Sequence, residues 1–495
     1  MMLRILENTP PWVWGLLAAL LALGISQMFS RTAGLGRVMI LPAAMTGLAF
    51  YGLLSAFGAA PAALLAWCAA AGMTVPLVLR RPLPARTRYD AALRRFSLPG
   101  SGLPLLLIMG IFFTKYVVGV MLAMRPAVAH DDGFTVSVAT LYGAFSGVFI
   151  GRALRLWRLA KQPQRVRVRS YDDRIPLPRL FGGLAAGALA LAGLVLAGLI
   201  AFGAADPPPP LAAVTRAFRA ADYSGLPPLE RYSARDGAPL AFRAYRAGGG
   251  DRVAVLIHGS SGDSHAMHAV GRALAASGIT AYALDMRGHG SSGRRGDIDY
   301  TGQLDDDLAD FAAVLRGIHP GARLTLIGHS SGGGFALRTA GGGNRELFDA
   351  YLLLAPMLHQ SAPTTRPDAG GWVKVFVPRI IALGILDRLG LPWFQHLPVL
   401  AFALPPEAAA KTTATYSYRL QSSFRPHEDY LADVRGISRP TRLLVGAEDE
   451  LFVAERYAPL LEPLQPQLRV KVLPGITHVG IVMEAAALQA IVAEL

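Results

Sequence analysis

Six long apolar stretches fill the first 204 residues, and they constrain the fold more than any other feature of the chain. Each approaches the roughly 20 apolar residues that a helix needs to cross a bilayer, where unpaired backbone polar groups are not tolerated. The first could be a signal peptide, but further spans follow at once, which favours a retained helix. We therefore predict a transmembrane domain of about six helices over residues 1–204, with stretches at 11–29, 38–58, 60–79, 103–124, 134–151 and 180–204.

Positive charge is concentrated in the loops of this half. Residues 1–204 carry 20 Lys/Arg against 6 Asp/Glu, whereas residues 205–495 carry 28 of each. A nucleic-acid-binding domain needs an excess of positive charge on its own surface, so no nucleic-acid partner is predicted. The positive-inside rule puts the basic loops at 31–37, 80–95 and 152–179 in the cytoplasm, where they can contact anionic lipids. The chain after the sixth span is then predicted on the outer, periplasmic side of a bacterial inner membrane.

A proline-rich linker is predicted at 205–229, because Pro207–Pro210 and Pro227–Pro228 favour a stiff, extended chain. From residue 230 short apolar runs alternate with stretches of helical spacing, which predicts a mostly parallel sheet with flanking helices. The stretch 359–440 interrupts this pattern and is interpreted as an inserted cap. A hairpin is expected around Asp236–Gly237, followed by strands at 253–257, 280–284, 324–327, 350–354, 442–445 and 469–473, and by helices at 264–277, 303–317, 333–340, 453–464 and 482–494.

A candidate nucleophile lies in the pentapeptide 328–332, Gly-His-Ser-Ser-Gly. It follows a predicted strand and precedes a predicted helix, the sharp turn that exposes a serine hydroxyl. Ser330 is the predicted nucleophile, and Ser331 is the alternative. The backbone N–H of Ser331, at a helix N-terminus, and that of Ser260, after the first predicted parallel strand, are expected to stabilise an oxyanion.

A carboxylate and a histidine follow in the order Ser, Asp, His. Asp449 comes after a late strand, although Glu448 and Glu450 flank it and stay open as alternatives. His478 follows the last strand. In this arrangement His478 takes the proton of Ser330, and Asp449 orients the imidazole and stabilises the imidazolium.

With these residues in place, residues 230–495 resemble the α/β-hydrolases of the monoacylglycerol lipase, lysophospholipase and serine aminopeptidase branch. The resemblance implies an α/β-hydrolase fold and a serine hydrolase without a cofactor. It also implies that His289 lies in a structural loop and is not catalytic. The other histidines lack metal-ligand spacing, so no metal site is predicted. The segments that carry the resemblance are His258-Gly259-Ser260-Ser261, Asp285-Met286-Arg287-Gly288-His289-Gly290, Gly328-His329-Ser330-Ser331-Gly332, Gly446-Ala447-Glu448-Asp449 and His478.

The predicted cap is rich in apolar residues between 375 and 404. These residues are interpreted as ordinary packing, or as an acyl-chain pocket or a contact with the bilayer interface. We expect hydrolysis of a lipid-like carboxylic ester, of the monoacylglycerol or lysophospholipid type, through an acyl-serine intermediate. The aromatic side chains concerned are Trp372, Phe376, Trp393, Phe394 and Phe402.

Other functions stay open. The same triad could serve a peptidase or an acyltransferase, and a vestigial hydrolase domain could belong to a binding or regulatory membrane protein. A transporter would require paired polar residues inside the spans, and beyond Lys115 the spans show little polarity. Lys115 lies close enough to a helix end to reach the headgroups, which favours a structural role.

Overall fold

The chain folds into two compact units, Met1–Phe202 and Gly203–Leu495. Most of the sixth predicted apolar stretch, 180–204, and residues 162–179 of the predicted loop 152–179 lie outside the described residues. The computed structural model describes residues 10–84, 86–124, 128–129, 131–161, 193, 196–201, 203–204, 206–249 and 251–495.

Apolar helices dominate the N-terminal unit. Within its described residues, four helices are long and apolar enough to cross a membrane, and a fifth apolar helix has 16 residues. Residues 152–161, predicted as the start of a loop, instead extend the last of these helices. The helices are α1 (Pro11–Ser26), α2 (Leu35–Phe57), α3 (Pro61–Arg80), α4 (Leu103–Met124) and α5 (Asp132–Lys161).

Three glycines spaced four residues apart bring α5 against α3. A Cβ at Gly143 would lie 2.9 Å from the Trp67 Cα, and one at Gly147 would lie 2.9 Å from the Ala71 oxygen. Gly151 continues the row one turn later. Small residues at this spacing allow membrane helices to approach closely, so this sequence signal could have predicted the pairing of these two helices.

A small antiparallel sheet joins segments in and next to two of the predicted basic loops, 31–37 and 80–95. Its strands are β1 (Arg31–Gly34), β2 (Arg88–Asp90) and β3 (Arg95–Leu98), in the order β1-β3-β2. Phe96 is buried in this sheet's core, and Leu156 near the end of α5 packs against that core. Polar segments before α2, before α4 and at the end of α5 therefore meet at one end of the helical unit.

Lys115 makes a cation–π contact inside the helical unit. Its Nζ lies 4.5 Å from the centre of the Tyr51 ring, which belongs to α2. Such a contact compensates part of the cost of removing an ammonium group from water. The geometry favours the structural interpretation of Lys115.

An eight-stranded, mostly parallel sheet forms the centre of the C-terminal unit. Its strands are β4 (Leu229–Ser233), β5 (Pro239–Tyr245), β6 (Arg252–Ile257), β7 (Thr280–Leu284), β8 (Arg323–His329), β9 (Ala350–Leu354), β13 (Thr441–Gly446) and β14 (Leu468–Leu473). The order is β14-β13-β9-β8-β6-β7-β5-β4. Only β5 with β7 and β4 with β5 are antiparallel, at one edge. The predicted α/β-hydrolase sheet is confirmed.

Helices outside the cap pack with this sheet. Leu274, Phe311 and Phe335 come from three of them and join the buried residues of the strands in one core. These helices are α6 (Ala212–Ala220), α7 (His268–Ala276), α8 (Gln303–Ile318), α9 (Ser331–Gly341), α14 (Tyr457–Leu461) and α15 (Ala485–Ala493).

The proline-rich stretch 205–229 is not extended throughout. It contains α6, whose Val214 is buried in the core of the C-terminal unit. The Leu211 N–H, directly before the helix, donates to the Ala403 oxygen at 3.0 Å. The part of the linker after residue 210 is therefore attached to the C-terminal unit.

The interpreted cap, 359–440, lies between β9 and β13 and has its own three-stranded antiparallel sheet. Its elements are β10 (Val373–Val375), α10 (Val377–Arg388), β11 (Pro398–Phe402), α11 (Pro406–Ala409), β12 (Thr415–Ser417), α12 (Tyr418–Ser423) and α13 (Tyr430–Arg435).

The aromatic side chains of the cap divide into two groups. Trp372 and Phe402 are buried, with ring centres 5.7 Å apart. Trp393 and Phe394, in the connection between α10 and β11, are 58% and 51% exposed. Ordinary packing accounts for the first group, whereas the second presents apolar surface to the outside of the unit.

Candidate active site

The predicted site residues all follow the carboxyl ends of parallel strands. Ser260 comes after β6, Ser330 after β8, Asp449 after β13 and His478 after β14. β6 pairs with β8 and β13 with β14, and β9 connects the two pairs. The carboxyl edge of an open parallel sheet is where α/β proteins bind ligands. The topology therefore brings four distant segments to one edge.

Ser330 occupies a strained turn between β8 and α9. Its φ of 54° and ψ of −116° lie outside the favoured regions for a residue with a side chain, at a cost of about 1–3 kcal/mol. Its N–H donates to the Leu354 oxygen at 2.9 Å, and its own oxygen accepts from the N–H groups of Met357 (2.9 Å) and Gly334 (3.0 Å). These hydrogen bonds hold the turn that presents the hydroxyl.

Glycines permit the close approach of the chain around this turn. A Cβ at Gly328 would overlap the backbone oxygen of Gly332, and one at Gly332 would lie 2.7 Å from the Ile257 oxygen. A Cβ at Gly259 would lie 3.1 Å from the Ser330 Cβ. The glycines of the pentapeptide are thus needed for packing, and the loop that carries Ser260 lies beside Ser330.

Asp449 and His478 are hydrogen-bonded side chain to side chain. The His478 Nδ1 lies 2.8 Å from the Asp449 Oδ2, and the Asp449 Oδ1 accepts the N–H groups of Leu451 and Phe452, each at 2.8 Å. Burial raises the pKa of the Asp449 carboxyl, but His478 and these two N–H groups lower it more, so the pKa lies below its ordinary value. The carboxylate accepts the Nδ1 proton, which leaves Nε2 free to accept another.

The backbone of His478 is held at both ends. The Glu450 Oε2 accepts its N–H at 3.0 Å, and the His329 Nε2 donates to its oxygen at 3.0 Å. Burial, together with His478, lowers the pKa of His329 to about 3, so His329 is neutral at physiological pH. Glu448 is exposed. The three neighbouring carboxylates thus have different environments, and only Asp449 contacts the imidazole ring by a hydrogen bond.

The structure brings Asp449 and His478 together and places His478 against the turn that carries Ser330. Among the described residues, the Ser330 hydroxyl and the His478 ring are not joined by a hydrogen bond. Both side chains are buried, and the His478 backbone contacts the residue next to Ser330.

The two predicted oxyanion donors both belong to segments next to Ser330. Ser331 begins α9, and the N–H groups of a first helical turn lack partners inside the helix. Ser260 lies in the loop beside Ser330, and its Oγ accepts a hydrogen bond from the Trp372 Nε1 at 2.8 Å. The sequence indicated Trp372 only as an apolar cap residue; no sequence signal predicted this link between the cap and the loop.

His289 connects the cap to two loops. Its Nδ1 donates to the Arg287 oxygen at 3.3 Å, so its Nε2 accepts the Tyr416 hydroxyl at 2.6 Å. The Tyr416 oxygen in turn accepts the N–H of Ser261 at 2.9 Å. Burial, followed by the nearby His258, lowers the pKa of His289 well below its ordinary value. These contacts occupy both ring nitrogens of His289.

Metal-ligating side chains are dispersed in the described part of the chain. No group of three or more His, Cys, Asp or Glu side chains there could hold a metal ion.

Two protein families match the chain, one within each unit of its fold. Residues 250–485 match the family described as serine aminopeptidase, S33. Residues 1–167 match a family of unknown function, DUF6622.

Individual relatives resemble parts of the C-terminal unit. The chain is 35% identical over 83 residues to a monoacylglycerol lipase of Mycolicibacterium smegmatis, covering 17% of this chain and 30% of the relative. It is 36% identical over 115 residues to esterase Rv0045c of Mycobacterium tuberculosis, covering 23% of this chain and 35% of the esterase. The chain thus spans about a third of the length of these curated relatives.

A solved structure of a soluble variant of monoglyceride lipase from Saccharomyces cerevisiae superposes with a TM-score of 0.43 at 17% identity. The superposition covers 55% of this chain and 93% of the monoglyceride lipase chain. The strand order, not this superposition, gives the C-terminal unit an α/β-hydrolase fold, and residues 250–485 are similar to the serine aminopeptidase, S33, family.

Proposed function

We propose that the chain is a membrane-anchored serine hydrolase that cleaves lipid-like carboxylic esters through an acyl-Ser330 intermediate. The observation that carries this proposal is the 2.8 Å hydrogen bond between the His478 Nδ1 and the Asp449 Oδ2, next to the strained turn of Ser330. A buried imidazole oriented by a carboxylate is the base that a serine nucleophile needs.

The reaction takes place in two steps. The His478 Nε2 removes the Ser330 proton while Oγ bonds to the ester carbonyl carbon, and the N–H groups of Ser260 and Ser331 stabilise the oxyanion. The imidazolium then gives the proton to the departing alkoxide, so that an alcohol leaves. Water attacks the acyl-serine with the same base, and the carboxylic acid is released. Asp449 holds the Nδ1 proton throughout.

The substrate class is proposed from the cap and from the membrane unit. Trp393 and Phe394 give the cap an exposed apolar surface, of the kind that enters the bilayer interface. The covalent link to a unit with four apolar helices keeps the catalytic unit in reach of membrane lipids. The two curated relatives are by name a monoacylglycerol lipase and an esterase, which supports an ester with an acyl chain.

The orientation is also a proposal. The basic end of the helical unit faces the cytoplasm, and the hydrolase unit lies outside the inner membrane. Support comes from the small sheet, which gathers polar segments from separate loops at one end of the helices. A C-terminal alkaline phosphatase fusion should be active, because that reporter functions outside the cytoplasm. A fluorescent C-terminal green fluorescent protein fusion together with an inactive phosphatase fusion would reverse the assignment.

A peptidase is the second candidate, because the matching family is described as serine aminopeptidase. The same triad could cleave a peptide bond, with an amine as the leaving group. Comparison of p-nitrophenyl esters with amino-acid p-nitroanilides separates the two: cleavage of anilides without cleavage of esters would replace the ester proposal.

The decisive experiment combines labelling and turnover. Detergent-solubilised protein is treated with a fluorophosphonate probe and with p-nitrophenyl esters of graded chain length, beside Ser330→Ala and Ser331→Ala. We expect labelling and turnover to be lost in Ser330→Ala, with a preference for long acyl chains in the unmodified protein. Labelling that persists in Ser330→Ala but disappears in Ser331→Ala would move the nucleophile. An unmodified protein that neither labels nor turns over would favour a vestigial domain.

A further inference from the structure

The basic end of the helical unit contains a large cavity. Its volume is about 1130 Å³, which is in the range of sites for small organic ligands. It lies among the end of α1, the start of α2, the segment after α3 and the end of α5, beside the small sheet. Six arginines line it: Arg31, Arg37, Arg81, Arg86, Arg152 and Arg155. We call it the arginine cavity.

The arginine cavity combines positive charge with apolar walls. Leu41, Leu83 and Phe149 are among its lining residues, whereas the described lining contains no Asp or Glu. A group of arginines that served the helical unit by internal ion pairing would have carboxylates among them. This cavity instead offers cationic and apolar surface together, which fits an anionic amphiphile.

Several of these guanidinium groups lack an anionic partner. Within the described residues no ion pair joins a carboxylate to Arg31, Arg37, Arg81, Arg152 or Arg155. Burial, together with repulsion from Arg37, lowers the pKa of Arg31. Like charges held close together in a partly buried site destabilise the ligand-free state. A bound anion would remove that repulsion.

Arg155 shows how the geometry leaves donors unused. Its Nη2 donates to the Pro82 oxygen at 2.6 Å, which ties α5 to the segment after α3. Its Nε is buried and has no hydrogen-bond partner among the described residues. A buried donor without a partner is costly, and a ligand oxygen in the cavity would satisfy it.

We propose that the arginine cavity binds a phosphate group, and that a membrane phospholipid with an anionic headgroup supplies it. Guanidinium groups bind phosphate oxygens through charge-assisted, often bidentate, hydrogen bonds. Leu41, Leu83 and Phe149 in the lining offer apolar surface for the glycerol and the first acyl carbons of such a lipid. A free phosphate ion shares the headgroup chemistry but makes no use of that surface.

The test is a binding experiment on the full-length chain that does not depend on hydrolysis. All proteins carry Ser330→Ala, so that a lipid ester is not consumed, and they are held in a neutral detergent. Thermal unfolding and lipid retention in native mass spectrometry are measured with phosphatidylglycerol, phosphatidylcholine or inorganic phosphate. Arg31→Gln and Arg152→Gln change the cavity, and Arg158→Gln, an exposed residue on the same helix outside the lining, is the matched control.

We expect phosphatidylglycerol to raise the Tm of the helical unit by about 5 °C at saturation, and phosphatidylcholine to raise it less. Arg31→Gln and Arg152→Gln should each weaken phosphatidylglycerol binding at least about tenfold, whereas Arg158→Gln should bind normally. Arg31→Gln should also have an unchanged or higher Tm without lipid, because it removes repulsion. This last result shows that the variant folds.

Each other outcome is decisive. Equal stabilisation by inorganic phosphate and phosphatidylglycerol, lost in the cavity variants, would keep the phosphate site but overturn the lipid as its source. Equal binding of both lipids, or binding that Arg158→Gln weakens as much as Arg152→Gln, would overturn the proposal. A failure of the hydrolase proposal would leave these measurements unchanged.

Discussion

Replacement of Asp449 by asparagine tests the proposed site most directly. The Asp449 Oδ1 accepts two backbone N–H groups and the Oδ2 accepts the His478 Nδ1 proton. An asparagine side chain at this position can keep its one oxygen for the two backbone donors, so its amide NH₂ is forced towards His478. That NH₂ only donates, and Nδ1 must then become the acceptor. The proton moves to Nε2, the atom that has to accept the proton of Ser330.

The expected effect of Asp449→Asn is a loss of about 10⁴ in kcat for a p-nitrophenyl ester, with a small change in KM. The backbone contacts survive, so the loss reflects the wrong tautomer and not a displaced loop. Glu450→Gln keeps an oxygen for the His478 N–H and should cost less than about tenfold. Glu448→Gln, at an exposed position, is the matched control and should retain wild-type activity.

Two results would refute this reasoning. Wild-type turnover in Asp449→Asn would show that the carboxylate does not orient the base. A loss of about 10⁴ in Glu450→Gln or Glu448→Gln would assign the acid to one of the alternatives that the sequence left open. A fluorophosphonate labelling rate measured in parallel reports the nucleophile directly, so slow deacylation cannot imitate either result.

The pH dependence of stability follows from the same carboxyl. Its pKa is lower in the folded protein than in the unfolded chain, so Asp449 contributes stability that is complete above the unfolded value of about 3.9. That contribution disappears as the pH falls through the lower, folded value. The Tm difference between the wild type and Asp449→Asn should be constant above about pH 5 and shrink in acid. A difference that grows on acidification would contradict the lowered pKa.

Three further variants, one of which carries two substitutions, test the surroundings of the site. Gly332→Ala should abolish turnover, because its Cβ would lie 2.7 Å from a backbone oxygen of β6. The control Gly317→Ala should preserve turnover, because a Cβ added at this helical position has no neighbouring atom within 4 Å. An equal loss in both variants would contradict the packing argument. Trp393→Ala with Phe394→Ala should reduce turnover of long-chain esters in vesicles several-fold but spare soluble short-chain esters, and equal effects on both would exclude a membrane contact. Trp372→Phe removes the hydrogen bond donated to the Ser260 Oγ. If Ser260 is the oxyanion donor, as proposed, this change should lower kcat about tenfold without changing KM; a change in KM alone would assign the contact to substrate binding.

The parallel strands could be predicted from the sequence to within about two residues, for a physical reason. A strand buried on both faces is a short, continuous apolar run, as in Val253–Ile257. The cap strands lack this signal, because β10 and β12 have three residues each and are stabilised by pairing with β11. The strands of the small sheet in the helical unit have three or four residues and contain arginines. Their pairing depends on contacts between distant loops, which local periodicity does not encode.

The residues proposed for catalysis could be located because each follows a strand in a fixed order, and parallel strands end at one edge. The residues that hold them could not be located in this way. Tyr416 reaches both His289 and the N–H of Ser261 from the cap, 155 residues along the chain from Ser261, and no motif marks it. Trp372 contacts Ser260 across 112 residues. Both links join the cap to the loop next to Ser330, so a displacement of the cap would also shift the loop that carries Ser260, the proposed oxyanion donor. The position of this loop therefore depends on cap side chains whose contacts appear only in the folded chain.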